Sequence, residues 1–143
     1  MLTDKSIPIS DEKYFKKHSV EIYDPIHLQR YWYVKCKNAE EFNTFLKKII
    51  PNCAEALDLD EDGEKADGEC IDVILNGRMI IIFWFNIRSI NAISHECLHA
   101  VLSCAKSRGI KVEEDNDAIC YMYGFLIDEL FKGTNVQDAM KCS

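Results

Sequence analysis

The period of the apolar residues changes along this chain, and the changes mark out its elements. From Ile26 to Lys35 the run Ile-His-Leu-Gln-Arg-Tyr-Trp-Tyr-Val-Lys is aromatic and β-branched, which predicts a strand. Asn38 then reads as a helix N-cap with Glu41 as its capping-box partner. Phe42, Phe45, Leu46, Ile49 and Ile50 follow at helical spacing, so one stripe of that helix should be buried. Pro51 should end it. After an acidic loop, Asp58 to Gly68, come Glu69 to Leu75 and Arg78 to Phe85, joined by Asn76-Gly77. Two β-rich runs around Asn-Gly predict a hairpin, because both turn positions need positive φ. The second run is nearly all apolar and is expected to be central or covered on both faces. Helices are expected from about Ser89 to Arg108, stopped by Gly109, and from about Asn116 to Phe131, stopped by Gly133. The prediction is an α+β fold: a small antiparallel or mixed sheet on one side, an N-terminal helix and two C-terminal helices. Residues 1–20 are polar and read as a partly mobile lead-in to one domain spanning 1–143.

The chemistry is concentrated in His95-Glu96-Cys97-Leu98-His99. Imidazoles at i and i+4 share one helical face, so both can bind one metal ion. Glu96 lies about 100° around the helix, where it can reach a water on that metal without being a ligand. Ala92, Ile93 and Ser94 precede the motif and Ala100 and Val101 follow, so its setting is that of a buried helix. A catalytic zinc needs three protein ligands and one open position. Asp117, in the first turn of the next helix, is the expected third ligand, and Glu113 is the alternative. The competing use of these acids is compensation of a helix N-terminus. Tyr121 and Gly124 share a face with Asp117. Tyr121 is expected to bond a ligand imidazole or the reacting oxygen, with Tyr123 as the alternative at the oxyanion, and Gly124 to let the helices approach closely.

With these residues in place, the chain resembles the zincin metallopeptidases, especially small gluzincin-like members. Over roughly residues 69–131 it is also similar to small uncharacterised zincin-like proteins of tailed phages. The resemblance implies Zn2+ held by His95 and His99, Glu96 as general base, and a peptide or protein substrate. It also implies that Arg78 to Phe85 is the strand against whose edge the peptide pairs. The pattern departs from the family in offering Asp117 where gluzincins use a glutamate. A catalytically silent metal-binding or protein-binding factor on the same scaffold is the alternative reading.

Charge and cysteines narrow the setting. The 143 residues carry a net charge of −7, which disfavours a nucleic-acid partner. No apolar run is long enough to span a membrane, and the polar start lacks the apolar core of a secretion signal. Seven cysteines without a C-x-x-C pair suit reduced thiols, hence a cytoplasmic setting (host cytoplasm if the protein is viral). Cys97 and Cys120 are read as packing residues, and His18 and His27 lie outside any ligand spacing. Asp58 to Glu69 satisfies a calcium-loop pattern. Against it, Lys65 occupies an aliphatic position and a strand, not a helix, should follow, so a solvated acidic turn is the simpler reading.

Overall fold

A computed structural model describes residues 8–50 and 67–132. Its elements are α1 (Glu12–Lys17), β1 (Ser19–Asp24), β2 (Gln29–Val34), α2 (Ala39–Ile49), β3 (Gly68–Leu75), β4 (Arg78–Phe85), α3 (Ile90–Ser107) and α4 (Asn116–Lys132). The expected stop at Pro51, most of the calcium-loop pattern and the stop at Gly133 lie outside the described residues.

The fold is α+β, with a mixed four-stranded sheet in the order β1-β2-β4-β3. β1 pairs antiparallel with β2, β2 parallel with β4, and β3 antiparallel with β4. The hairpin forms as its turn residues require, with Asn76 at φ 53° and Gly77 at φ 78°. The α2 N-cap forms, with Glu41 N–H donating to Asn38 Oδ1 at 2.8 Å, while the reciprocal bond of Glu41 Oε1 shifts by one residue and accepts from Lys37 N–H at 2.8 Å.

Two expectations change, and within the polar lead-in Asp11 caps α1, Phe15 is fully buried and β1 begins at Ser19. The first predicted strand loses its start, because the buried Asp24 carboxylate accepts from the backbone N–H of Ile26 and His27 and turns the chain before Gln29. The sheet does not lie to one side. Phe15, Phe42, Phe45, Leu46 and Ile49 pack with Trp32, Val73 and Trp84 on one face, while α3 and α4 pack with Tyr31, Tyr33, Ile81 and Phe83 on the other. Burying each such large side chain is worth about 1.5–3 kcal/mol, so both faces are strongly held.

β4 is covered on both faces, as its apolar run predicts, and Ile80 to Phe85 are buried. It is therefore flanked by β2 and β3 and has no free edge for a peptide. The edge beside α3 belongs to β3, which corrects the strand implied by the zincin resemblance.

Candidate metal centre

α3 packs over β4 and β3, whereas α4 lies over β1, at the opposite edge of the sheet. Apart from Ile93 and Glu96, the buried residues of α3 are small: Ala92, Cys97, Ala100, Val101, Cys104 and Ala105. Small contacts let a helix approach its neighbour closely, so side chains flanking this stripe reach β3. Ser103 does so, with its hydroxyl 2.5–2.6 Å from the two Asp72 carboxylate oxygens. Glu96 does so at Gly68, where a Cβ would lie 2.5 Å from Glu96 Cγ and 2.9 Å from the Trp84 carbonyl oxygen. Only glycine leaves room there for the glutamate.

His95 and His99 lie on the solvent side of α3 with their Nε2 atoms 3.0 Å apart and their rings nearly perpendicular. Two imidazoles on a tetrahedral zinc, with Zn–N of about 2.0–2.1 Å, have nitrogens about 3.3 Å apart. At 3.0 Å the two rings are hydrogen-bonded to each other, one Nε2 donating and the other accepting, so both nitrogens already meet on one face of the helix. Burial, then the neighbouring His95, lowers the pKa of His99, which favours the neutral ring that a metal requires.

Glu96 is 6% exposed. Burial, followed by repulsion from Glu69, raises its pKa to about 7. A carboxyl poised there can take and return a proton near neutral pH.

The α4 residues are placed differently from expectation. Asp117 and Glu113 are exposed, and among the described residues no three His, Cys, Asp or Glu side chains form a group that could hold a metal ion. The structure therefore brings neither acid to the imidazole pair. Asp115 caps α4 through Ala118 N–H at 3.0 Å, so this acid serves the helix terminus. Tyr121, 44% exposed, has its ring centroid 5.9 Å from that of His27 in the β1–β2 turn. Gly124 faces open space and mediates no close approach. The α4 tyrosine that meets α3 is Tyr123, whose hydroxyl lies 2.7 Å from Ser94 Oγ. Of the two tyrosines expected near the site, it is thus Tyr123, not Tyr121, that reaches the motif helix.

Of the other candidates, His27 donates from Nδ1 to buried Asp24 at 2.8 Å if that nitrogen is protonated, and so belongs to the turn. Cys97 is fully buried, and burial followed by Glu96 pushes its thiol up to about 12, which suits a packing residue.

No family model, curated protein or solved structure matches the chain.

Proposed function

We propose that the chain is a zinc-dependent peptide hydrolase whose centre is built on α3. The observation that carries this reading is the meeting of His95 and His99 Nε2 on the same helix that holds the buried Glu96 carboxyl, whose pKa is raised to about 7. His95 and His99 would hold the ion, which when bound supplies Lewis acidity toward water and a substrate carbonyl. Glu96 accepts the proton of the attacking water and passes it to the departing amine.

The outer side of β3 is taken at Ile74 by Pro8 and Ile9; a substrate would pair along Gly68 to Asp72, where no other described strand lies, and would run alongside α3. Five described cysteines are free thiols and no described helix is long and apolar enough to cross a membrane, which supports the proposed cytoplasmic setting. The substrate is a peptide or protein, and the net charge of −7 argues against nucleic acid.

A second reading, a silent metal-binding or protein-binding factor, is favoured by one observation: the imidazole pair has no third donor grouped with it among the described residues. A zinc-loaded sample incubated with a peptide library and followed by mass spectrometry separates the two. New peptide termini that vanish with 1,10-phenanthroline and return with zinc are expected. A library left intact favours the silent scaffold.

A further inference from the structure

β2 and β4 are neighbours and run parallel, in register from Tyr31 opposite Ile81 to Tyr33 opposite Phe83. The helices that follow them leave in opposite directions. α2 covers the face that holds Trp32 and Trp84, and α3 covers the face that holds Tyr33 and Phe83. Chains that part in this way after two adjacent parallel strands leave a crevice at the carboxyl ends of the strands, where open α/β sheets take their ligands.

The crevice is a cavity of about 250 Å³, lined by Cys36 and Lys37 after β2 and by Phe85, Asn86, Ile87 and Arg88 at the end of β4. Among the described residues its charged lining is positive only: Lys37 and Arg88. Two carboxylates brace the walls: Glu41 accepts from Lys37 N–H at 2.8 Å, and Asp67 accepts from Asn86 Nδ2 at 3.3 Å. Asn86 Oδ1 in turn accepts from Arg88 N–H at 3.0 Å, which fixes the turn that presents the arginine. α3 then begins without an acid in its first turn, so its N-terminal dipole adds to the positive field. A second cavity, of about 450 Å³, shares Cys36 and is walled by Val34, Tyr14 and Phe45. There Glu40 and Glu41 offset Lys35, so an anionic group belongs in the smaller cavity and an apolar body in the larger.

We infer that the crevice binds the phosphate of a small phosphomonoester, with Lys37 and Arg88 on the phosphate oxygens and the organic part against Tyr14 and Phe45. A phosphomonoester carries close to two negative charges at neutral pH, which matches two cations better than a carboxylate does. The planar guanidinium fork also suits paired phosphate oxygens. The site precedes His95 by about two helical turns and uses no metal, so it stands apart from the proposed hydrolytic centre.

Calorimetric titration of the purified full chain with phenyl phosphate, inorganic phosphate and benzoate tests the inference. Phenyl phosphate should bind best, because inorganic phosphate leaves the aromatic wall bare and benzoate brings one charge to two cations. Lys37→Gln and Arg88→Gln should each lower its affinity about tenfold or more, the loss of a hydrogen bond between charged groups. Lys106→Gln removes the same charge at the far end of α3 and should leave affinity unchanged. Thermal melts verify that each variant is folded. Wild-type protein that binds neither phosphate probe at millimolar concentration overturns the inference, as does an equal loss in Lys106→Gln or none in Lys37→Gln and Arg88→Gln. Inorganic phosphate or benzoate binding as tightly as phenyl phosphate overturns the assignment to an ester. Zinc content should be the same in all three variants, so loss of this site leaves the proposed function untouched.

Discussion

Glu96→Gln is expected to keep zinc affinity unchanged and to lower peptide hydrolysis by about 10²–10⁴-fold, the range contributed by a positioned general base. The amide has nearly the same shape, so it can occupy the notch over Gly68, but it cannot take a proton from water. Hydrolysis at wild-type rate in this variant would remove Glu96 from the mechanism.

The same substitution has a second consequence in the metal-free protein. Burial and Glu69 raise the folded pKa of Glu96 to about 7, from a value near 4.5. A carboxyl whose folded pKa is raised supports the fold most below its unfolded pKa. Its support declines as pH rises and levels off above the folded pKa. Each tenfold change in proton affinity is worth about 1.4 kcal/mol, so the ionised carboxylate costs about 3 kcal/mol at pH 8. The substituted carboxamide has no charge to desolvate. Urea unfolding of chelator-treated samples should show the two proteins equally stable near pH 4 and the variant ahead by about 3 kcal/mol at pH 8. Parallel pH profiles would mean that Glu96 is solvated in the folded chain.

Gly68→Ala should be the more damaging change. The new Cβ would meet Glu96 Cγ at 2.5 Å and the Trp84 carbonyl oxygen at 2.9 Å. Trp84 pairs with Glu69 in the β3–β4 ladder, so its carbonyl has little freedom to retreat. The glutamate must swing away or β3 must shift from α3. Overpacking of this kind costs about 1–3 kcal/mol, and hydrolysis should fall along with the displacement of the base. A double-mutant cycle checks the cause: the cost of Gly68→Ala should shrink by more than about 0.5 kcal/mol in a Glu96→Ala background. Equal costs in both backgrounds would place the strain at the Trp84 carbonyl alone.

The parts of this fold that could be read from sequence are those set by local chemistry. The α2 cap, the Asn76-Gly77 turn and the two long C-terminal helices depend on residues within a turn or two of each other, and their side chains name them. α1 has six residues and one fully buried side chain, too short for periodicity to register. β1 reads Ser-Val-Glu-Ile-Tyr-Asp, an edge strand whose burial alternates incompletely, and its partner register depends on a turn made by Asp24. The placement of helices relative to sheet edges was also hidden. His95, Glu96 and His99 are legible because an i, i+4 spacing fixes them on one helix whatever surrounds it. Nearness in sequence favoured an α4 acid as third donor, but α4 lies over the β1 edge and both Asp117 and Glu113 are exposed. Gly68 was invisible for the same reason, since its role is a contact between strand and helix.

Metal content bears most directly on the central claim, that His95 and His99 share one divalent ion. Purified protein exchanged into limiting free Zn2+ and analysed by elemental mass spectrometry should hold close to one equivalent, and His95→Ala and His99→Ala should each hold close to none while melting as folded proteins. A wild-type chain that leaves the exchange without zinc, or variants that retain it in full, would contradict the account.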